Sequence, residues 1–372
     1  MRLAWKNILR DRLRFFVTIA GIAFAVFLMI FQGSLLSGFS EAAAKLVNAT
    51  DSDLWITPRG VPCFDFSAPL AGRFAGIAEA APGVGQVSRM VISSAVYRSS
   101  DGNHHVVVVV GADPDVGARF PIPYVPGTHS ALEPDAVVID QSNAAVLEVA
   151  SLPADVEINK HRARVLRKVS GFSSFVGMPY VFTSYASAVK YLNVRPEDSM
   201  YILLRLKPGY DAAQVKAVLQ ARLPEVDVWT HAEFARQSKQ YWIAQTGAGG
   251  SIMVAAILGF LVGLVVVSQT MYATTMEHIE EFATLKALGA SRWFVTRIVL
   301  AQGLLCGAVG SLLGLAGALA AVDAAQQFIS WIRTPGWLPF AVLVPTLFMC
   351  GLAAIMSIKA ALNIEPAKVF RA

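Results

Sequence analysis

The sequence predicts a membrane protein with four transmembrane α-helices and an α+β extracytoplasmic domain inserted between helices one and two. Three observations carry this. Of 372 residues, 55% are hydrophobic and 15% charged; a soluble globular protein carries about 25% charge, so this chain has too little polar surface to cover itself in water. Four charge-free stretches, Phe15–Leu36, Ser251–Ala273, Ile298–Val322 and Trp337–Ile358, are each long enough to cross a bilayer, which takes about 20 apolar residues. Between the first two lies the polar segment 41–239, whereas the other connections are short.

Charge sets the orientation. The net charge is +5, but segment 41–239 holds 19 basic and 20 acidic residues, so the excess sits on the flanks of the spans and a nucleic-acid surface is excluded. Arg2, Lys6, Arg10, Arg12 and Arg14 precede span one; Lys286, Arg292 and Arg297 lie between spans two and three; Lys359, Lys368 and Arg371 follow span four; and the 323–337 connection has only Arg333. The positive-inside rule then places both termini and the 277–297 loop in the cytoplasm and the large domain outside. The expected division is a basic amphipathic helix (1–14), span one (15–40), the outer domain (41–239), a stalk with span two (240–276), a cytoplasmic loop (277–297), span three (298–322), a short outer loop (323–336), span four (337–358) and a cytoplasmic tail (359–372). The basic leader and Ala42-Ala43-Ala44 resemble a signal peptide, but a signal's apolar region runs about 7–15 residues. Span one is longer and is read as a retained anchor.

Within the outer domain, strand and helix signals alternate. Asp53 to Pro58 reads as a strand closed by proline, Phe74 to Ala80 as a helix ending before Pro82-Gly83, and Val87 to Arg98 and His105 to Val110 as β-rich runs. Ala136 to Glu148, Glu157 to Val169 and Tyr180 to Asn193 continue the mixture, and Met200 to Leu206 is a strand followed by a helix capped at Asp211 and running to about Leu223. The Pro- and Gly-rich stretch 111–134 marks a boundary between a core lobe and an inserted lobe, and Glu233 to Ala244 reads as helix extending span two outward as a stalk.

Most catalytic chemistry is absent. The chain has no Gly-Lys dipeptide and so no phosphate-cradling loop, no H-E-x-x-H, no C-x-x-C and no G-x-S-x-G; no catalytic residue, metal ligand or cofactor is assigned, and ATP hydrolysis by this chain is excluded. Cys63 falls in the outer domain and Cys306 and Cys350 inside spans, which fits no disulfide or zinc framework. His104-His105 would point to opposite faces of a strand, and Asn48-Ala49-Thr50 is a glycosylation sequon by pattern only. No span contains the ionisable residues that mark a proton or ion pathway, and four spans are few for a transport path, which implies a dimer or larger assembly. Gly303, Gly307, Gly310, Gly314 and Gly317 share one stripe of span three, with a weaker pair, Gly259 and Gly263, on span two. Such spacing lets helices approach closely, either within one subunit or at a gating or subunit contact.

The loop Glu277-His-Ile-Glu-Glu-Phe-Ala-Thr-Leu-Lys-Ala-Leu-Gly-Ala-Ser-Arg292 starts acidic and ends basic, with Ile279, Phe282, Ala283 and Leu285 on one side and Gly289 as a stop. Periodicity alone leaves two readings, a solvated turn or an amphipathic helix along the inner membrane face. This stretch resembles the coupling-helix motif of the MacB/FtsX-type (type VII) ABC transporter permeases, E-R-x-R-E-I-G-x-L-R-A-L-G-A-S; Glu277, Glu281, Leu285, Lys286, Ala287, Leu288, Gly289 and Ala290 match or are close replacements, whereas His278, Glu280 and Ala283 depart from it. The resemblance extends over the chain through the basic Trp5-Lys-Asn-Ile-Leu-Arg10 segment, the one-plus-three arrangement of spans and the Ile364-Glu-Pro-Ala-Lys-Val-Phe-Arg371 tail. Ala4 to Leu9 and Asp53 to Gly60 look most similar to DevC-type permeases.

The resemblance implies a permease subunit in the inner membrane of a bacterium, with a periplasmic domain, working by mechanotransmission with a separate ABC ATPase that binds the ATP and Mg. It further implies a HlyD-like membrane fusion protein, an outer-membrane channel, a homodimer in which spans one and two face the partner, contact with membrane lipids, and export of a lipid, glycolipid or other amphiphile. Contact residues toward the ATPase would be Glu277, Glu281, Phe282, Leu285, Lys286 and Gly289. Two related outputs are an FtsX-like signalling permease that activates a periplasmic cell-wall hydrolase and a lipoprotein-releasing permease.

Overall fold

The computed structural model describes residues 12–117, 119–121, 134–175, 177–277, 279–281, 284, 288 and 291–362; the expected N-terminal helix up to residue 11 and the tail from 363 lie outside them. In chain order the elements are α1 (Arg12–Ala43), α2 (Lys45–Asn48), β1 (Leu54–Pro58), α3 (Arg73–Glu79), β2 (Val84–Arg98), β3 (His104–Ala112), β4 (Ala136–Asp140), β5 (Ala154–Ile158), β6 (His161–Val169), β7 (Tyr180–Ser184), α4 (Tyr185–Leu192), β8 (Tyr201–Leu206), α5 (Ala212–Arg222), β9 (Val226–Thr230), α6 (His231–Gln240), a π-helical turn (Tyr241–Gln245), α7 (Ala248–Glu277), α8 (Arg292–Ala325) and α9 (Leu338–Leu362). Residues 39–248 with 329–331 form one compact unit and the remaining residues another. The fold class read from the sequence, four apolar helices with an α+β domain between the first and second, is the one found.

In the sheet unit nine strands pair in the order β3-β7-β4-β6-β5-β2-β8-β1-β9, and β3 also pairs with β2. That last pairing closes six strands into a ring. The length of β2 makes this possible: Met90 to Arg98 run antiparallel to β3, Tyr97 and Arg98 reach β5, and Val84 to Met90 pair with β8 in the open flank. Five consecutive valines of β3 and the wholly buried β4 and β7 are the β-branched, two-sided apolar runs that a closed or covered sheet requires. In the flank, alternate residues serve two cores. Leu54, Ile56, Ile202 and Leu204 pack with Phe74 of α3 and Leu219 of α5, whereas Trp55, Tyr201 and Leu203 join the ring core with Phe234 of α6. The lobe boundary expected at 111–134 is therefore crossed by one continuous sheet; residues 118 and 122–133 of that stretch lie outside the described residues.

Local chemistry positions the helices. Ser184 caps α4, its hydroxyl accepting from Ser187 N, and Asn193 ends it in the left-handed region at φ 51°. Gly111 on β3 is required where α4 crosses: a Cβ there would overlap Ala188 Cβ. Asp211 caps α5, and Thr230 and Glu233 form a capping box on α6. The open edge of the flank is β9. Val228 N donates to Gln220 Oε1 at 2.9 Å and Gln220 Nε2 donates to Val226 O at 2.8 Å, so a side-chain amide from α5 occupies the main-chain groups that another strand would take.

The helical unit contains α1, α7, α8 and α9, each with a stretch long and apolar enough to cross a membrane. Small residues allow close approach. A Cβ at Gly21 would lie 2.7 Å from Val266 Cγ1, one at Gly259 would lie 3.0 Å from Leu28, and one at Gly263 would overlap Ala25 Cβ, which together bring α1 against α7. On α8, Gly310 and Gly314 face α1, with Ile22 Cβ at 2.7 Å and Ala23 O at 2.5 Å from their notional Cβ atoms, whereas Gly303 faces Met271 and Gly307 faces Cys350 Sγ at 3.1 Å. Gly317 has only an ordinary contact, Phe27 at 3.7 Å.

Candidate functional site

The loop between α7 and α8 is described in part. Residues 279–281 and 284 are helical, Thr284 Oγ1 donates to Glu280 O at 2.8 Å and Leu288 N donates to Thr284 O at 3.0 Å. Glu277 closes α7, and Glu277 and Glu281 are exposed; Phe282, Leu285, Lys286 and Gly289 lie outside the described residues. Ser291 caps α8, its hydroxyl accepting from Phe294 N. Three apolar side chains here are exposed, Leu288 (80%), Trp293 (64%) and Phe294. The last two were not singled out from the sequence, because an aromatic pair beside a charged flank reads as the edge of a span; their signal was the position just inside a Ser cap. Gly259, Gly263, Gly303, Gly307, Gly310 and Gly314 meet residues of the same chain, as described above.

A second constellation sits in the sheet unit, in residues that carried no assignment. The tight turn Cys63 to Phe66 is fixed from two sides: Phe64 N donates to Ser238 Oγ on α6 at 3.1 Å, and Tyr201 OH on β8 donates to Phe64 O at 2.8 Å. The turn presents Asp65, whose Oδ1 accepts from Tyr180 OH at 2.8 Å and whose Oδ2 accepts from Trp242 Nε1 at 2.9 Å. Among the described residues no lysine, arginine or histidine pairs with it. Burial raises the Asp65 carboxyl above the ordinary carboxylate range, against the lowering effect of the two donors. Phe39, Phe175, Trp242 and Trp331 pack edge to face, with ring centroids 5.1 Å (Phe39 to Phe175), 6.3 Å (Phe39 to Trp242), 5.9 Å (Phe39 to Trp331) and 4.9 Å (Phe175 to Trp242) apart. Cys63 is fully buried, and burial followed by the Asp65 charge pushes its thiol up to about 12.

Trp242 belongs to the segment expected to be a continuous stalk helix. The structure differs: α6 ends at Gln240, one π-helical turn follows, and Gly247 at φ 76° separates it from α7. Glycine takes that backbone angle without strain, and α7 starts directly after it at Ala248.

A polar cavity of 530 Å³ near the β5–β6 hairpin is lined by Arg98, Arg162, Arg164, Asp135, Asp155 and Glu157. Five of these six charges pair with each other or with a neighbour: Arg98 with Glu157 at 3.4 Å, Arg164 with Asp155 at 2.9 Å and Asp135 with Lys190 at 2.9 Å. Among the described residues no group of His, Cys, Asp and Glu has the arrangement of a metal site.

Comparison with known proteins agrees with this architecture. The model of the MacB-like periplasmic core domain matches residues 15–222, more than half of the chain, and that of the FtsX-like permease C-terminal region matches residues 253–366. Among solved structures, the periplasmic region of MacB from Actinobacillus actinomycetemcomitans is similar at 12% identity and TM-score 0.39, covering 51% of this chain and 94% of that one. The extracellular domain of the noncanonic ABC-type transporter YknZ from Gram-positive bacteria is similar at 11% identity and TM-score 0.35, covering 48% of this chain and 98% of that one. A domain of a putative permease from Porphyromonas gingivalis is similar at 17% identity and TM-score 0.32, covering 48% and 89%. No curated protein matches the sequence.

Proposed function

The chain belongs to the MacB/FtsX-type permeases of ABC transporters, multi-pass membrane proteins with a periplasmic domain, and from that premise we propose that it is the membrane subunit of an exporter driven by a separate ATPase. In this reading the ATPase binds ATP and Mg and docks on the 277–291 loop through Glu277, Glu281, Phe282, Leu285, Lys286 and Gly289. Nucleotide-driven closure of two ATPase subunits draws two such loops together, and the motion passes along α7 toward the outer domain. Both termini lie in the cytoplasm, the membrane is the inner membrane, and a HlyD-like membrane fusion protein and an outer-membrane channel complete the path. The cargo is a lipid, glycolipid or other amphiphile, in keeping with the DevC-like segments Ala4 to Leu9 and Asp53 to Gly60.

The single observation that supports this most is Leu288, 80% exposed in the loop between two apolar helices. A large apolar side chain so placed is what a helix-in-groove contact would cover. For the homodimer, α7 is the span with the barest surface: only 17% of its apolar window is buried, against 39%, 39% and 41% for the others. Gly259 and Gly263 are used against α1 of the same chain, so the contact with a second copy falls on the exposed stripe of Ile257, Leu261 and Val265.

The test is copurification of the full-length protein with its ATPase. Truncating an apolar anchor typically costs on the order of 1–4 kcal/mol of binding, so Phe282→Ala with Leu285→Ala is expected to release the ATPase from a protein that remains inserted and folded. Lys286→Glu acts in the same direction, more weakly and with salt dependence. A double variant that retains its ATPase at the wild-type ratio sinks the docking assignment.

A further inference from the structure

Asp65 is out of place if its task is only to stabilise the fold. Asp65 is partly buried; a carboxylate shielded from water without a cation is costly, and apolar replacements of such groups are often neutral or stabilising. What it supplies is direction, because hydrogen bonds to a charged acceptor are short, strong and fixed in geometry. Its two donors come from different places: Tyr180 begins β7 of the closed ring, and Trp242 lies on the π-helical turn before α7. A π turn is an uncommon insertion that concentrates at functional sites. Here Thr246 N donates to Tyr241 O at 3.3 Å and Thr246 Oγ1 donates to Trp242 O at 2.6 Å.

The rings around Trp242 add the second observation. The chain passes between its two compact units at residues 38–39, 248–249, 328–329 and 331–332. Each of the three segments concerned sends an aromatic side chain into this cluster of the sheet unit: Phe39 near the end of α1, Trp242 shortly before α7, and Trp331 from the three-residue segment between α8 and α9. The rings lie against one another, and Asp65 accepts the hydrogen bond that the indole N–H of Trp242 donates.

We propose that Asp65 is the positioning residue of a latch that holds Trp242 against Phe39 and keeps the Tyr241–Gln245 turn wound, so that the three crossing segments are held at one node. A rotation or shift of α7 then reaches the sheet unit through a turn whose register is fixed by a single charged hydrogen bond. The structural half of this inference stands on the geometry alone; its consequence for coupling rests on the reading of the chain as an ATP-driven permease.

Hydrogen–deuterium exchange on the full-length protein in lipid nanodiscs, alone and with its copurified ATPase, tests both halves. Asp65→Asn keeps the shape and removes the charge, and Trp242→Phe keeps the ring and removes the N–H. Each is expected to speed exchange in 241–248 by roughly ten- to a hundredfold, the range of one charge-assisted hydrogen bond, while β1 and β8 stay as in the wild type. Because both remove the same bond, the double variant should exchange no faster than the singles. With the ATPase bound, Asp65→Asn is expected to hydrolyse ATP within about twofold of the wild-type rate but to lose any ATP-dependent change in exchange of the sheet unit, a split that a merely structural role would not produce. Unchanged exchange in 241–248, acceleration spread evenly over β1 and β8, or additive singles would overturn the latch. If no ATPase copurifies even with the wild type, the permease reading fails and the exchange data on the protein alone still decide the latch.

Discussion

The glycines of α8 share one stripe, yet the structure separates them by what a methyl group would meet, and Gly314→Ala against Gly317→Ala puts that separation to a test. At Gly314 the new Cβ would sit 2.5 Å from Ala23 O and 2.8 Å from Val26 Cβ; at Gly317 the nearest atom is Phe27 Cδ2 at 3.7 Å. A side chain can turn away, but Ala23 O is a backbone carbonyl within α1, so relief at Gly314 requires α1 to move as a body. Overpacking of this kind costs about 1–3 kcal/mol. Against it stands the helix preference for Ala over Gly, about 1 kcal/mol in water. Gly314→Ala is thus expected to lose up to roughly 2 kcal/mol net, whereas Gly317→Ala keeps the propensity gain and loses nothing. At about 2–4 °C per kcal/mol for domains of 150–250 residues, Gly314→Ala should lower the unfolding midpoint by a few degrees in detergent or nanodiscs, and Gly317→Ala should leave it level or raise it. Equal shifts for the two substitutions would show that α1 and α8 do not meet at Gly314, and the packing described for the helical unit would fall with them.

Two further outcomes follow from the sheet unit. Glu148 is held below its ordinary value of 4.5 chiefly by the Ser99 hydroxyl and then by the Asn103 amide. A folded-state pKa below the unfolded one contributes stability that is present above the unfolded value and is lost as pH falls through the folded one, so the gap in unfolding midpoint between wild type and Glu148→Gln should close below about pH 4.5; a gap constant from pH 7 to pH 3 refutes the assignment. Cys63, fully buried and with a thiol pushed up to about 12, should resist an impermeant maleimide in the native protein and react only after unfolding. Orientation is therefore better probed with a cysteine at exposed Ser100 on the β2–β3 hairpin, labelled from outside in spheroplasts while one at Ser291 is not; labelling at Ser291 from outside reverses the topology.

What the sequence disclosed follows the range of the physics involved. Exclusion of charge from hydrocarbon acts residue by residue, so the run Ser251–Ala273 is recognisable by inspection and α7 surrounds it at Ala248–Glu277. Caps are equally local: Asp211 does what its type and position imply. Ring closure is a different matter, since it depends on β2 meeting both β3 and β5, the second of them far along the chain, and no periodicity encodes which strands become neighbours. The break before α7 was hidden because Glu233 to Ala244 has helical periodicity and one π turn does not disturb it. Asp65 was unreadable for the same reason as the ring: residues 65, 180 and 242 meet only once the sheet has formed, and a single aspartate beside a cysteine has no motif. At the loop between α7 and α8 the motif was legible, while Trp293 and Phe294 became notable only through their exposure.

The amide of Gln220 has a consequence for how copies of this protein can stand beside one another. Closing six strands into a ring leaves β9 as the flank's free border, and Gln220 occupies two of its main-chain groups in the way a neighbouring strand would. An open border of that kind is a template on which identical chains zip together. With those two groups taken, the border offers an identical chain less main chain to pair with. Side-chain contacts between copies stay separable, whereas a shared sheet would weld the domains together.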